Sequence, residues 1–280
     1  MKILVTGANG YLGKGVVKRL LDDGIEVIAS DFQDNGIDRR AQIKTVDLFG
    51  LDEPFSFFGC PDVLFHLAWR DGFIHGSQSH IDDLPKHNRF ISRMIDSGIK
   101  RAVVMGSMHE VGFFEGSINE NTPCHPQSLY GISKNALRCL TELKCRENEC
   151  IFQWLRGFYI VGNTRDGSSV FSKIVQANEM GQKEFPFTQG LNQFDFLDYD
   201  IFCKYAADVA EQDKVDGIIN ICAGRPEKIA DRAERFIAEN GFQIKLKYGA
   251  FPDRFYDSKA IWGDDSKVQM VERQKGNADA

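Results

Sequence analysis

Three side chains near the middle of the chain have the types and spacing to move a proton and steady an oxygen: Ser107, Tyr130 and Lys134. Tyr130 and Lys134 lie four residues apart, which on a helix puts both on one face. A free phenol loses its proton at about pH 10. An ammonium about 4 Å away, at an effective dielectric of about 20, favours the phenolate by about 4 kcal/mol, enough to lower that value by up to about 3 units before burial acts. Such a tyrosine can exchange a proton with a sugar hydroxyl or carbonyl while a hydride moves to or from a nicotinamide. Lys134 can also hold the nicotinamide ribose, and Ser107 can donate a hydrogen bond to the reacting oxygen. In isolation a Y-x-x-x-K pair is usually an exposed tyrosine and a solvated lysine, so the pair takes its meaning from what positions it.

The positioning begins at the start of the chain. Residues 2–6 form a short apolar run, Gly7, Gly10 and Gly13 follow, Val16, Val17, Leu20 and Leu21 repeat with helical period, and a second apolar run over 27–29 ends at Ser30-Asp31. This is a βαβ unit suited to a dinucleotide. The glycines permit a tight turn, approach to a pyrophosphate and close helix-on-strand packing, and the helix start offers unpaired N–H groups to the phosphates. Gly7, Asn9, Gly10, Tyr11, Leu12 and Gly13 are therefore candidate cofactor contacts, and Asp31 falls where a carboxylate accepts the adenine ribose hydroxyls. The spacing is G-x-x-G-x-x-G rather than G-x-G-x-x-G, and the bland alternative is a glycine-rich turn of some other α/β protein. Asp31 repels a 2′-phosphate, so NAD is favoured, with NADP kept possible by Arg39 and Arg40.

A third strand over 42–46 ends at Asp47-Leu48. Asp47 either holds the adenine amino group or caps the next helix, and both readings stand. Residues 62–68 read as a continuous, fully buried strand whose closing Leu67 and Ala68 let a cofactor lie close. Residues 69–87 look irregular, with His75, His80 and His87 in a solvated loop flanking the active-site mouth. A helix over 88–98 leads to the strand that delivers Ser107. A long loop over 113–127 precedes a helix from Tyr130 to about residue 146, and a strand over 150–156 follows. Strands alternating with helices at this interval imply a doubly wound parallel sheet with ligands at the strand carboxyl ends. The expected organisation is a dinucleotide-binding domain over 1–162 with 201–224 returning to its sheet, a small substrate lobe from 163–200 and 225–272, and a frayed tail over 273–280.

Composition narrows the function classes. The 280 residues carry 34 Lys+Arg against 40 Asp+Glu, a net charge of −6, and no basic cluster, which argues against a nucleic-acid partner. No stretch approaches the ~18 apolar residues of a spanning helix and no signal-peptide pattern is seen, so a cytoplasmic enzyme without a membrane partner is expected. Seven cysteines form no C-x-x-C pair, and neither they nor the histidines show metal spacing. Reduced thiols and no metal site are expected.

Taken in order, the glycine turn from Thr6 to Gly13, Asp31, Asp47-Leu48, His66-Leu67-Ala68, Asn88, Gly106-Ser107 and Tyr130-x-x-x-Lys134 resemble the extended short-chain dehydrogenase/reductase family of nucleotide-sugar epimerases, dehydratases and reductases. The likeness resumes more loosely at Arg156, at 198–200 and at 220–226, covering about three quarters of the chain. It implies a Rossmann-like fold, catalysis by Ser107, Tyr130 and Lys134, a nucleotide-sugar substrate and a homodimer paired through helices such as 88–98 and 130–146. Dehydratases of the family place Asp-Glu directly after the catalytic hydroxyl residue, whereas this chain has Met108-His109, which disfavours dehydration. Met108, His109, Arg156 and Tyr159 are the candidate substrate contacts; Phe158-Tyr159 stand where many members carry a phosphate-contacting asparagine. What remains is hydride transfer at C4 of a nucleotide-linked hexose, by a 4-keto-sugar reductase or a C4 epimerase. The short carboxyl-terminal lobe and residues 248–254 and 262–264 look like proteins of surface-polysaccharide pathways. Two other classes are weighed: a non-catalytic dinucleotide-binding regulator, which would commonly lack the tyrosine or lysine, and a Ser107/His109 hydrolase, which would need a G-x-S-x-G elbow.

Overall fold

Runs of β-branched and aromatic residues become the buried strands of a parallel sheet, and the helical periods between them become its covering layers. The computed structural model describes residues 1–162, 164–165, 169–252 and 258–278. In chain order its elements are β1 (Lys2–Thr6), α1 (Tyr11–Asp22), β2 (Glu26–Asp31), β3 (Gln42–Thr45), α2 (Pro54–Phe57), β4 (Val63–His66), α3 (Ser79–Asp96) and β5 (Arg101–Ser107). After the 3-10 turn Met108–Glu110 come β6 (Gly116–Ile118), α4 (Leu129–Glu147), β7 (Ile151–Gly157), β8 (Tyr159–Val161), α5 (Val170–Glu179), β9 (Glu184–Pro186), β10 (Gln193–Phe194) and β11 (Phe196–Asp198). The last are α6 (Tyr199–Glu211), β12 (Gly217–Ile221), β13 (Glu227–Lys228), α7 (Ile229–Glu239), β14 (Lys245–Lys247), β15 (Ala260–Gly263) and α8 (Ser266–Ala278).

Seven parallel strands form the main sheet in the order β12-β7-β5-β4-β1-β2-β3. The chain winds outward from β1 to β3, then returns to the other side of β1 and winds outward again, so the order reverses between β1 and β4. A ligand crevice opens outside the carboxyl ends of those two strands. One face of the sheet is covered by α1, α6 and α8 through Val16, Leu20, Phe202, Val209, Val268 and Val271. The other is covered by α3 and α4 through Phe90, Ile91, Met94 and Leu137. This is the doubly wound fold expected from the sequence.

A smaller lobe stands over the carboxyl edge. It contains a four-stranded sheet, β13-β10-β15-β6, two strand pairs, and its own core with Phe171, Phe194, Phe236 and Ile261. The buried Asp195 carboxylate fastens the lobe to the main sheet, accepting the backbone N–H groups of Ala223 (2.7 Å), Gly224 (3.0 Å) and Gly263 (3.1 Å).

Several sequence expectations are corrected. The helix expected over 88–98 starts at Ser79 and carries Pro85 in its interior. The long loop over 113–127 holds β6, which belongs to the lobe sheet. Residues 273–278 of the expected frayed tail are the end of α8. That helix is held by fully buried Val268 and Val271 and by Lys275, which reaches Asp23 and Glu211 at 3.0 Å each and also Asp208. Burying those two valines contributes about 3 kcal/mol, enough to hold a polar helix down. Asp253 and Arg254, within the segment likened to polysaccharide enzymes, lie outside the described residues.

Candidate active site

The first half of the crevice is made of main chain. Gly7 has φ +71°, and a Cβ there would meet the Ala68 backbone N at 2.6 Å; one on Gly13 would meet the Gly7 carbonyl at 2.1 Å. Only hydrogen at these positions lets β1, α1 and the end of β4 come together. Gly10 is the N-cap of α1 and offers no side chain, so the first-turn N–H groups face outward with the positive end of the helix. Asp31 sits across the turn, its carboxylate accepting the N–H of Asn9 (2.9 Å) and of Phe32 (2.7 Å). Arg39 is paired with Asp34, and Arg40 with Asp38 and Asp22, so both cations that kept NADP open are already engaged by acids. Asp47 caps the 3-10 turn Leu48–Gly50 by accepting from the Phe49 N–H at 3.0 Å, which is the capping alternative; its carboxylate is also exposed. The turn, the uncapped helix start and the carboxylate together fit a dinucleotide. Beside them runs a cleft of about 690 Å3 whose walls include Asn9, Tyr11, Lys14, Gly162 and Tyr199.

The second half is made of side chains. Ser107 ends β5 and opens the 3-10 turn with a capping box: its hydroxyl accepts the His109 N–H (3.3 Å), and Glu110 accepts the Ser107 N–H (2.6 Å). Ser128 caps α4, and the Tyr130 N–H is taken by the His75 carbonyl at 3.0 Å. A Cβ on Gly131 would meet the His109 carbonyl at 2.3 Å, so this glycine lets the start of α4 press against the turn after Ser107. Ser107, Tyr130 and Lys134 are thereby gathered at one end of β5.

Their electrostatics differ from the sequence expectation. Lys134 is buried and donates to the Met105 carbonyl at 2.7 Å, with its Nζ 3.9 Å from the centroid of the Trp69 ring and 6.0 Å from that of Tyr130. Burial pulls its ammonium down to about 7, against the opposing pull of Glu110. Burial pushes the Tyr130 phenol up to about 12, with the Ser107 hydroxyl pulling the other way. The two residues share a helix face, but desolvation outweighs the expected attraction. The phenol is therefore protonated at neutral pH.

Tyr130 stands among rings, two of which, His75 and His80, the sequence places in a solvated loop. His75 lies parallel to it with centroids 5.0 Å apart, His80 meets it edge-on at 5.3 Å, and His109 lies 6.1 Å away. His80 and His87 are buried on α3, and His66 bridges Thr6 Oγ1 (2.8 Å) and His87 Nδ1 (2.9 Å). Burial lowers the basicity of His66, His75, His87 and His109, to about 3 at His87 and about 4 at His109, so these four imidazoles are neutral at pH 7. The signal in the sequence was the helical repeat His80, Leu84, His87, Ile91, Met94, interrupted by Pro85.

The four expected substrate contacts are placed unequally. His109 is half-buried at the mouth. Arg156 is fully buried 3.6 Å from Glu110, and Glu110 also takes the Trp154 indole N–H at 2.9 Å. Arg156 therefore supports the Ser107 turn from beneath. Met108 is buried in the lobe core, and Tyr159 packs on Phe194 with centroids 4.6 Å apart. Among the described residues, one acidic cluster has the proximity for a cation, Asp23, Asp208 and Glu211, and the Lys275 ammonium occupies it.

Comparison with known proteins identifies the family. Residues 3–222 match the model of the NAD dependent epimerase/dehydratase family. The chain is 40% identical over 270 residues to dTDP-6-deoxy-L-talose 4-dehydrogenase (NAD(+)) of Aggregatibacter actinomycetemcomitans, covering 94% of this chain and 99% of that one. The fold is similar to UDP-N-acetylglucosamine 4-epimerase of Methanobrevibacter ruminantium (TM-score 0.84, 20% identity, 96% and 91% of the two chains). It is also similar to dTDP-glucose 4,6-dehydratase of Streptomyces venezuelae (TM-score 0.80, 18% identity, 96% and 90%). The chain thus belongs to the NAD dependent epimerase/dehydratase family, within the extended short-chain dehydrogenase/reductases, and is an NAD-dependent enzyme of the nucleotide-sugar class.

Proposed function

We propose that this enzyme interconverts a hydroxyl and a ketone at C4 of a nucleotide-linked 6-deoxyhexose, as a 4-dehydrogenase that also runs as a 4-ketoreductase. The observation carrying this reading is the 40% identity to a dTDP-6-deoxy-L-talose 4-dehydrogenase, sustained over 94% of this chain and 99% of that one. The gathered Ser107, Tyr130 and Lys134 support it, and Met108-His109 in place of an acid pair count against dehydration.

NAD, when bound, supplies the hydride acceptor or donor. The glycine turn and the first N–H groups of α1 hold its pyrophosphate, Asp31 the adenine ribose, Asp47 and Leu48 the adenine, and Leu67 and Ala68 border the crevice. Lys134 holds the nicotinamide ribose. Tyr130, protonated at neutral pH, gives its phenolic proton to the C4 oxygen in reduction; in oxidation it must first release that proton to solvent, and the phenolate then takes the proton of the C4 hydroxyl. Ser107, whose oxygen accepts from the His109 N–H, keeps its own proton to donate to the same C4 oxygen. The reading further implies a cytoplasmic role in making sugars for surface polysaccharides. It also implies a homodimer paired through α3 and α4, where Ile132, Leu140 and Leu143 are exposed.

The test is to offer purified protein dTDP-6-deoxy-L-talose with NAD, and the matching 4-keto sugar with NADH, while following absorbance of the reduced cofactor. Stoichiometric change in cofactor with sugar converted supports the proposal. Sugar isomerised with no net change in cofactor would replace it with C4 epimerisation, and no conversion of any nucleotide sugar would refute it.

A further inference from the structure

We infer that Trp69 is a positioning residue for Lys134: its indole face holds the ammonium in place, and His80 holds the indole. Lys134 Nζ lies 3.9 Å from the Trp69 ring centroid, inside the range in which a cation is attracted to an aromatic face. The indole is itself fixed. It stacks on His87 with centroids 4.6 Å apart and planes 18° apart, and its Nε1–H donates to His80 Nδ1 at 3.1 Å. The other nitrogen of His80, Nε2, is 3.0 Å from the Ile74 carbonyl. An indole N–H can only donate and a carbonyl can only accept, so His80 is the tautomer with its proton on Nε2. A continuous line runs from the Ile74 carbonyl through His80 and Trp69 to the ammonium.

The line has a chemical consequence. Burial alone pulls Lys134 toward the neutral amine, and its role at the ribose, which rests on the function proposed above, is that of a cation. The groups facing it are Tyr130 on its own helix, Glu110 from the 3-10 turn, His66 from β4 and His87 from α3. The two imidazoles are neutral at pH 7, and Glu110 is held by Trp154 and Arg156. The indole face adds stabilisation specific to the charged form, and its centroid lies closer to Nζ, at 3.9 Å, than that of Tyr130, at 6.0 Å. Trp69 stands directly after Ala68, whose backbone packs against the Gly7 turn.

The test is the titration of Lys134 Nζ, followed by NMR in lysine-labelled protein without substrate and assigned through Lys134→Met. Removing the face in Trp69→Leu should lower the midpoint by about one pH unit. Trp69→Phe, which keeps an aromatic face, should lower it by less than half as much, and His80→Ala, which frees the indole, should lower it in the same direction. In turnover the alkaline limb of kcat should move down by the same interval with KM little changed. An unmoved midpoint in Trp69→Leu overturns the inference; should that variant fail to fold, unmoved midpoints in Trp69→Phe and His80→Ala overturn it instead. The titration needs no substrate, so it stands if the sugar assignment fails. An active wild type whose Trp69→Leu variant keeps its alkaline limb would overturn the inference while leaving the function intact.

Discussion

The two halves of the crevice are built from different materials. At residues 7–13 the binding surface is main chain, shaped by positions where even one methyl group would collide with backbone. Around Tyr130 the surface is side chains brought from the loop after β4, from α3, from the turn after β5 and from α4. In the proposed function the first surface recognises what nucleotide cofactors share, namely phosphates and ribose. The second can be changed ring by ring without disturbing the first, so chemistry and cofactor binding should separate under mutation.

Tyr130→Phe tests that separation most severely. Removing the proton carrier while keeping the ring should lower kcat at least about a thousandfold and leave NAD affinity, measured by calorimetry, nearly unchanged. Residual activity above about a tenth of wild type would remove Tyr130 from the chemistry. Next in size is Arg156→Met, which leaves the Glu110 carboxylate buried without its cation. A loss of about 3 to 5 kcal/mol in denaturant unfolding is expected, and a loss below about 1 kcal/mol would mean that the turn after Ser107 does not depend on the pair. Asp31→Asn, on the main-chain side, should weaken NAD about tenfold by removing charge-assisted hydrogen bonds, with kcat at saturating cofactor held. An unchanged ratio of NAD to NADP affinity would place cofactor choice elsewhere. The smallest effect belongs to Asp47→Ala. Loss of the cap seen at Phe49 should cost about 1 kcal/mol of stability, and an accompanying fall in NAD affinity above threefold would add the adenine contact to the cap.

The same contrast governs what could be read from the sequence. The glycine turn, the strand runs and the Tyr130/Lys134 spacing are local patterns, and each appears in the structure where the sequence put it. Glu110 and Arg156 are 46 residues apart, and nothing in either neighbourhood announces their pairing. The start of α3 at Ser79 was hidden because Pro85 ordinarily breaks a helix interior. The helix at the end of the chain was hidden because its polar surface outweighs the two valines that pin it. The protonation of Tyr130 and Lys134 was misjudged for a related reason. Spacing reports who is near, whereas the balance between attraction and desolvation depends on how much water the remaining chain removes.

The clasp at Asp195 bears on how such enzymes diversify. On the proposed reading the lobe faces the sugar, and because the three partners of Asp195 are amide groups of the main chain, the joint does not depend on which side chains the lobe displays there. Substitutions that reshape the pocket can accumulate on the lobe without loosening its attachment to the cofactor half. Selection for a new hexose can thus proceed one residue at a time, on a platform whose fastening it leaves untouched.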